Sequence, residues 1–239
     1  MTIDVALNPA EIAILTERDL SATTCVVFDV LRATSTMITA LAHGAKEIYP
    51  VCTIDEAMSL KAQWPHALLG GERHGEAIAG FDLGNSPLEY RDNVRGRTII
   101  TTTTNGTVAL RACDRAERVL IGALLNLDSV ARELCCAQTA NVLLVCAGTF
   151  DSFALEDAVG AGSLVRELSD RRAVTALTDS AQAALAIAAG EGGALLQTAK
   201  NARVLLDKGR AEEVEWCSCR SRYKVIGFMQ KAVIRPLER

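Results

Sequence analysis

The chain has 239 residues, of which 49% are hydrophobic and 23% are charged, and this composition indicates an ordinary globular protein with its own core. Its formal net charge of −4 excludes nonspecific attraction to nucleic acid or to anionic membranes, so any anion must be bound by a local site. No apolar run approaches the ~20 residues that a membrane-spanning helix needs, and the N-terminus lacks the basic region of a signal peptide.

Short apolar runs alternate with alanine-rich stretches along most of the chain. The apolar runs predict strands at 24–30, 47–51, 67–69, 98–101, 118–121, 141–146 and 173–177. The stretches between them predict helices at 34–43, 54–64, 106–113, 127–137, 155–168 and 180–189. Two more helices are predicted at 193–206 and 210–217, so the last third of the chain is expected to be almost entirely helical.

This alternation predicts an α/β fold with three layers, α/β/α, in which helices cover both faces of a mostly parallel, or mixed, central sheet. The chain contains no linker rich in proline or serine, so a single domain over residues 1–239 is expected. Two segments are loosely similar, because each has a strand, a small polar turn and an Ala/Gly-rich helix. Two similar halves, about 1–120 and 121–239, are therefore the alternative.

The eight cysteines lie mostly in apolar stretches, and no C-x-x-C motif occurs. Buried free thiols in a reducing compartment are therefore expected rather than disulfides, and the predicted location is the cytoplasm. Cys217 and Cys219 form a C-x-C pair, but no second pair and no nearby histidine completes a zinc site. A structural role is predicted for both.

Four polar clusters follow predicted strands, and in a parallel sheet ligands bind outside the carboxyl ends of the strands. The clusters contain Asp29, Arg32, Thr34 and Ser35; Glu72 and Arg73; the sequence TTTTNGT at 101–107; and Glu156 with Asp157. The segment 70–93 is also long and irregular, and such segments inside compact domains are usually functional or disordered. Its embedded apolar residues favour order.

Two of these clusters combine hydroxyl groups with the start of a predicted helix, where free backbone N–H groups attract anions. Arg32 and Arg73 add guanidinium groups, which can bind phosphate or sulfonate oxygens through two hydrogen bonds. The predicted anion-binding residues are Thr34, Ser35, Asn85, Thr103, Thr104, Asn105, Gly106 and Thr107. The structural alternative is a threonine-rich strand that ends in an Asn-Gly turn and a helix cap, with Asn85 stabilising its own loop.

Four acidic residues lie near strand ends or in first helical turns, and they are the predicted metal ligands: Asp29, Glu72, Glu156 and Asp157. Carboxylates beside a phosphate suggest Mg²⁺, which binds a few carboxylates, several waters and substrate oxygens. The alternative for Glu156 and Asp157 is that they only stabilise a helix N-terminus. Asp29 is harder to explain in this way, because it interrupts a buried strand, where an unpaired charge is costly.

Three known phosphate-binding patterns are absent or incomplete in this sequence. FDVLRAT resembles the aspartyl-phosphate loop of haloacid-dehalogenase-type phosphatases, but Leu31 stands where that loop has its second acid. The nucleotide-binding motif G-x-x-x-x-G-K-[ST] does not occur. A cysteine-phosphatase loop that begins at Cys146 would need an arginine where Ser152 stands. Among the three histidines, His74 is the one placed to act as an acid or base.

Four segments together resemble the 2-phosphosulfolactate phosphatase family. They are FDVLRATSTMITALAHGAKEIYPV, LLGGERHGEAIAGFDLGNSPLEY, TIITTTTNGTVAL and AGTFDSFALEDAVGAG. The likeness spans about residues 24–165 and is weaker in the first 20 residues and after Ala173. The C-terminal sequence CSCRSRYKVIGFMQKAVIRPLER departs from the family pattern, in which an Asp precedes an apolar strand with a proline, so the resemblance does not carry a substrate contact over to this region.

The resemblance implies a Mg²⁺-dependent phosphatase with a three-layer α/β fold, which converts 2-phospho-3-sulfolactate to 3-sulfolactate and phosphate in coenzyme M biosynthesis. This substrate carries a phosphate, a sulfonate and a carboxylate, so several cationic groups and hydroxyl-rich turns are expected around it. Asp29, Arg32 and Arg73 are the expected catalytic residues. The nucleophile is expected to be either a metal-bound water or Asp29.

The alternative function is that of a non-catalytic sensor, which would bind a phosphorylated metabolite with the same groups. The acidic residues weigh against a sensor, because carboxylates repel a phosphate unless a metal lies between them. The expected partner is a small-molecule substrate, with no nucleic acid and no membrane. A homodimer is compatible with the sequence.

Overall fold

The computed structural model describes residues 1–189 and 192–238. The strands are β1 (Thr2–Ala6), β2 (Thr24–Phe28), β3 (Glu47–Pro50), β4 (Leu68–Arg73), β5 (Glu76–Ala77), β6 (Thr98–Thr102), β7 (Arg118–Gly122), β8 (Asn141–Cys146), β9 (Ala176–Leu177), β10 (Gly227–Gln230) and β11 (Val233–Pro236). The helices are α1 (Pro9–Ala13), α2 (Ala33–Ala42), α3 (Ile54–Gln63), α4 (Gly106–Ala112), α5 (Leu127–Cys136), α6 (Leu155–Asp170), α7 (Asp179–Ala188), α8 (Gly192–Thr198), α9 (Lys200–Asp207) and α10 (Ala211–Ser218).

The described strands join one sheet in the order β5-β4-β6-β3-β11-β10-β7-β2-β8-β1-β9. Two blocks of this sheet are parallel within themselves, namely β4-β6-β3 and β7-β2-β8-β1-β9. The antiparallel pair β10-β11 lies between the two blocks. The predicted α/β class with a mostly parallel, mixed sheet is therefore confirmed.

Helices cover both faces of the sheet, because the side chains of its central strands are apolar on both sides. On one face of β2, Val26 and Phe28 pack with α5, α6 and α7. On the other face, Cys25 and Val27 pack with α1, α2 and α4. A smaller cluster packs α3 against β4 and β6. These layers form the predicted three-layer α/β/α arrangement.

The prediction of an almost entirely helical last third is wrong at its end, where β10 and β11 form a hairpin. This hairpin joins the two parallel blocks, since β10 pairs with β7 and β11 pairs with β3. Lys231 and Ala232 make its turn with φ angles of 51° and 57°. Turns that need positive φ usually carry Asn or Gly, so the sequence lacks the signal that predicts such a hairpin.

Most other predicted elements agree with the structure to within a few residues at each end. β1, β5 and α1 have no predicted counterpart, and the helix predicted at 193–206 is divided into α8 and α9. Within the described residues, no helix is long and apolar enough to cross a membrane.

The central helix α2 is buried on every side from Ala33 to Leu41. Its hydroxyl groups are therefore satisfied inside the protein. Thr39 Oγ1 donates a hydrogen bond to Ser35 O at 2.8 Å, and Thr36 Oγ1 donates to Asn85 O at 2.8 Å. A helix held in this way fixes the position of the turn that precedes it, from Asp29 to Arg32.

Candidate active site

A cavity of about 170 Å³ lies where the loops after β2, β4, β6 and β8 meet the start of α9. Its lining residues are Asp29, Leu31, Arg32, Glu72, His74, Gly75, Asn85, Thr104, Asn105, Gly148, Thr149, Phe150, Lys200, Asn201 and Val204. Pockets for drug-sized molecules have volumes of about 300–1,000 Å³, so this cavity fits a smaller ligand.

Asp29 stands directly after β2 and holds the turn into α2. Its Oδ1 accepts a hydrogen bond from the Ala33 N–H at 3.0 Å, and its own N–H donates to Thr34 Oγ1 at 3.0 Å. The Thr34 hydroxyl also donates to Asp29 O at 2.9 Å, and the Ser35 hydroxyl donates to Val30 O at 2.8 Å. Thr34 and Ser35, which are predicted anion ligands, are fully buried here and stabilise the turn that presents Asp29.

Gly106 makes room for the Asp29 carboxylate. A Cβ atom at position 106 would lie 2.6 Å from Asp29 Oδ2 and 2.7 Å from Ala33 Cβ. Both distances are well below van der Waals contact, so a larger residue would displace Asp29 or shift α4. The absence of a side chain at Gly106 therefore leaves room for the turn that presents Asp29, whereas the sequence predicts that Gly106 binds an anion.

Glu72 joins the end of β4 to the end of β6. Its Oε1 accepts from the Thr104 N–H at 2.7 Å, and its Oε2 accepts from the Gly75 N–H at 2.6 Å and from the Thr104 hydroxyl at 3.2 Å. Glu72 is 7% exposed and lies on the cavity wall together with Asp29. The structure thus brings together two acids that lie 43 positions apart in the chain.

Arg32 is held at the cavity wall by a buried ion pair. Its Nη1 lies 2.5 Å from Glu213 Oε2, and its Nη2 donates to Gly75 O at 3.0 Å. Arg32 is 5% exposed and Glu213 on α10 is 8% exposed. Sequence reasoning misses Glu213, because an acid on a short helix 181 residues from its partner carries no local signal.

Glu156 and Asp157, at the start of α6, bond to groups of the protein and are not part of the cavity lining. Asp157 accepts from the Val30 N–H at 2.8 Å through Oδ1 and from the Gly148 N–H at 3.0 Å through Oδ2. Glu156 Oε1 accepts from Asn201 Nδ2 at 2.5 Å. Asp157 therefore ties the loop after β2 to the loop after β8, and Glu156 ties α6 to α9.

Burial raises the pKa of three acids near the turn after β2, and neighbouring carboxylates add to this effect for Asp29 and Asp157. Burial raises the pKa of Asp29 to about 7, and the charges of Glu72 and Glu156 act in the same direction, against the Ala33 N–H and Arg32. Burial also raises the pKa of Asp157, with Asp29 and Glu156 contributing, and burial raises the pKa of Glu156. A cation close to these carboxyl groups favours their charged forms. The cluster of buried acids therefore favours the binding of a cation.

Some residues of the TTTTNGT turn are buried in the interior, and others line the cavity. Thr103 and Thr107 cap each other, since the Thr107 N–H donates to Thr103 Oγ1 at 3.0 Å and the Thr103 N–H donates to Thr107 Oγ1 at 3.1 Å. Thr104 and Asn105 line the cavity. Asn105 Nδ2 donates to Phe150 O at 2.8 Å, and Asn105 Oδ1 accepts from the Phe150 N–H at 2.9 Å. Asn105 therefore also holds the loop after β8.

Arg73 does not line the cavity. Successive side chains of a strand point to opposite faces, and Glu72 takes the face of β4 towards the cavity. The Arg73 guanidinium donates to Glu72 O at 2.7 Å, to Thr102 Oγ1 at 2.8 Å and to Cys52 O at 3.3 Å. These contacts brace the end of β4 against β6, and no contact of Arg73 supports the predicted binding of an anion.

The mouth of the cavity contains residues that sequence reasoning misses: Phe150, Lys200, Asn201 and Val204. His74, the histidine singled out in the sequence, also lies there and stacks on Phe150 with ring centroids 5.5 Å apart. His74 and Phe150 have positive φ angles of 56° and 52°. The three α9 residues look in the sequence like part of a solvated helix, so only the position of α9 beside the cavity identifies them.

The cavity offers a donor set that fits Mg²⁺. Asp29 and Glu72 place two carboxylates on its wall, and Mg²⁺ commonly binds one or two carboxylates together with waters and substrate oxygens. No group of three or more His, Cys, Asp or Glu side chains in residues 1–189 and 192–238 forms a complete metal site by itself. Such an open set suits Mg²⁺ better than a structural zinc ion, which needs four protein ligands.

Comparison with known proteins finds relatives over most of the chain. A family model described as 2-phosphosulpholactate phosphatase matches residues 11–232. The chain is 39% identical to a "Probable 2-phosphosulfolactate phosphatase" of Carboxydothermus hydrogenoformans over 219 residues, which are 91% of this chain and 89% of the relative. It is 36% identical to a protein of the same name from Clostridium acetobutylicum over 230 residues, 95% of this chain and 96% of the relative.

A third relative with this name, from Thermotoga maritima, is 38% identical over 214 residues, which are 88% of this chain and 90% of the relative. The family match extends well beyond residues 24–165, where the resemblance of the sequence is strongest, and it includes α10 with Glu213. The chain therefore belongs to the 2-phosphosulfolactate phosphatase family.

Proposed function

We propose that this protein is a phosphatase that hydrolyses 2-phospho-3-sulfolactate to 3-sulfolactate and phosphate. The observation that carries the proposal is the set of Asp29, Glu72 and Arg32 on the wall of one small cavity, each nine-tenths or more buried. The names of the relatives point to the same substrate. We further propose that the enzyme is cytoplasmic, because its eight free cysteines suit a reducing compartment. Its proposed place in coenzyme M biosynthesis follows from the resemblance to the family.

The cavity residues support distinct roles in this reaction. Arg32 is placed to bind phosphoryl oxygens, because Glu213 and Gly75 O hold its guanidinium in one orientation. Asp29 is placed either to attack the phosphorus itself or to orient an attacking water. In the first case the Asp29 carboxylate bonds to phosphorus as the ester bond breaks, and 3-sulfolactate leaves with a proton taken from solvent. Water then attacks the phosphorus, which releases phosphate and regenerates the carboxylate.

We propose Mg²⁺ as the cofactor, held by Asp29 and Glu72, with Glu156 as a further candidate ligand. When bound, the ion supplies positive charge that lets an anionic phosphoryl group approach two carboxylates and stabilises the charge that develops during transfer. Asp157 is a less suitable ligand, because it does not line the cavity and both of its oxygens accept hydrogen bonds from the backbone of the loops that it joins. Its proposed role is to hold the two loops that carry Asp29 and Thr149.

The non-catalytic sensor has less support. A pure anion-binding site gains nothing from Asp29 and Glu72, whose charges oppose an anionic ligand. The relatives described above carry phosphatase names.

Phosphate release from 2-phosphosulfolactate, 2-phospholactate and 3-phosphoglycerate, each with Mg²⁺ or with EDTA, tests the proposed function. We expect the highest kcat/KM with 2-phosphosulfolactate, loss of activity in EDTA, and its recovery when Mg²⁺ or Mn²⁺ is added in excess. Full activity in EDTA would contradict the metal. Tight binding of 2-phosphosulfolactate without phosphate release, in the presence of Mg²⁺, would instead identify a sensor.

The contacts of Arg73 predict that its loss affects stability more than catalysis. Arg73→Met is expected to lower the free energy of unfolding by about 1–3 kcal/mol, because Thr102 Oγ1 and Glu72 O lose a charged donor. We expect kcat/KM to change by less than about fivefold, and urea unfolding with a kinetic assay measures both. Arg203→Met, which removes an exposed arginine of α9, is the control. A large rise in KM at unchanged stability would place Arg73 in the substrate site after all.

A further inference from the structure

Two basic side chains with long flexible stems line the cavity, and their surroundings differ. The guanidinium of Arg32 is paired with Glu213, so the two charges largely cancel. The ammonium group of Lys200, at the start of α9, forms no ion pair and no hydrogen bond with any residue in the described part of the chain. Lys200 is therefore a positively charged group at the cavity whose ammonium has no ion-pair partner among the described residues.

The residues at the two ends of the cavity differ in how deeply they are buried. Asp29, Glu72 and Arg32 are between 5% and 9% exposed, so the group that reacts must reach the bottom. Lys200 is exposed, and it shares the mouth with Phe150 and Val204, which are 47% and 42% exposed. A ligand with its phosphate at the bottom thus extends the rest of its frame towards Lys200.

Hydrogen bonds from Asn201 to Glu156 and Thr149 hold the start of α9 in place. Asn201, next to Lys200, donates through Nδ2 to Glu156 Oε1 at 2.5 Å and to Thr149 Oγ1 at 2.6 Å. These bonds tie the first turn of α9 to α6 and to the loop after β8. The backbone of Lys200 is therefore fixed at the mouth, while its flexible stem lets the ammonium group reach a ligand there.

We propose that Lys200 binds the sulfonate of the substrate and so determines the preference for a phosphomonoester with a second, distal anionic group. The inference rests on the proposed function. In 2-phosphosulfolactate the sulfonate lies one carbon beyond the carbon that carries the phosphate ester, which matches a reacting group at the bottom and a second anion at the mouth. The carboxylate is attached directly to the ester carbon, so it lies closer to the phosphate than the sulfonate does.

Steady-state kinetics of Lys200→Gln with two substrates tests this assignment. The substrates are 2-phosphosulfolactate and 2-phospholactate, which has a methyl group in place of the sulfonate-bearing carbon. We expect Lys200→Gln to raise KM for 2-phosphosulfolactate about tenfold, equal to about 1.4 kcal/mol of binding free energy, with a much smaller rise for 2-phospholactate. Lys200→Arg should keep most of the affinity, since it keeps the charge.

Arg203→Gln is the matched control, because Arg203 is also exposed on α9 but is not part of the cavity lining. Its kinetics with both substrates should stay close to those of the wild type. Equal changes in KM for both substrates in Lys200→Gln, or changes no larger than those in the control, would overturn the assignment while the proposed function stands. A wild-type protein that releases phosphate from neither substrate would overturn the proposed function, and the role of Lys200 with it.

Discussion

Asp29→Asn is expected to lower the rate of phosphate release at least about a thousandfold, which corresponds to roughly 4 kcal/mol of transition-state stabilisation. Asn keeps the shape of the side chain and the hydrogen bond from the Ala33 N–H, but it loses the negative charge. Without that charge it can neither attack phosphorus nor hold Mg²⁺ well. Release of phosphate from 2-phosphosulfolactate in saturating Mg²⁺ measures the loss, and Asp92→Asn, on an exposed loop, is the control.

Stability should change in the opposite direction in the metal-free protein. The pKa of Asp29 rises from its ordinary 3.8 to about 7 through burial and the neighbouring acids, so the folded chain binds more protons than the unfolded chain between these values. The stability that Asp29 contributes therefore falls as the pH rises from about 4 to about 7. Asp29→Asn should remove part of this loss of stability and therefore raise the metal-free Tm at pH 8. Added Mg²⁺ should stabilise the variant less than it stabilises the wild type.

Two results would contradict the role of Asp29. The first is a folded Asp29→Asn variant with phosphatase activity close to that of the wild type, which would make Asp29 a structural residue of the turn. The second is a metal-free Tm at pH 8 that falls by several degrees, which would show that the charge of Asp29 stabilises the turn rather than opposing it.

Arg32→Met is expected to lower the free energy of unfolding by about 3–5 kcal/mol, because it leaves the buried carboxylate of Glu213 without its partner. Glu213→Met should destabilise by a similar amount through the unpaired Arg32. The double variant should recover much of the lost stability, since two apolar side chains can replace a buried ion pair. Urea unfolding of the wild type and the three variants measures this coupling, and Arg132→Met, from an exposed pair with Asp128, should cost less than about 1 kcal/mol.

Activity separates the structural role of this pair from its role in binding. If Arg32 binds phosphoryl oxygens, the double variant should regain stability but not phosphate release. A double variant that regains both would limit Arg32 to packing. Additive losses of stability in the two single variants and the double variant would show that Arg32 and Glu213 do not depend on each other in solution.

The candidate site was predictable where its residues follow strands directly. Asp29, Glu72, Thr104 and Asn105 are polar residues at or just beyond strand ends, and parallel strands bring such positions to one edge of a sheet. The same rule does not say which way a side chain points. Glu72 and Arg73 satisfy it equally, and the cavity contains only Glu72 of the two because neighbouring residues of a strand face opposite sides.

The sequence by itself determined the fold class, most of the strands and helices, and the family. Apolar periodicity and helix-start signals are local properties of the sequence. They can therefore be recognised without knowing which strands pair in the sheet. Only the tertiary structure decided the place of β10 and β11 in the sheet, the pairing of Arg32 with Glu213, and the approach of Lys200 to the cavity. These contacts join segments far apart in the chain, and their geometry depends on strand order and helix packing, which no local pattern of residues encodes.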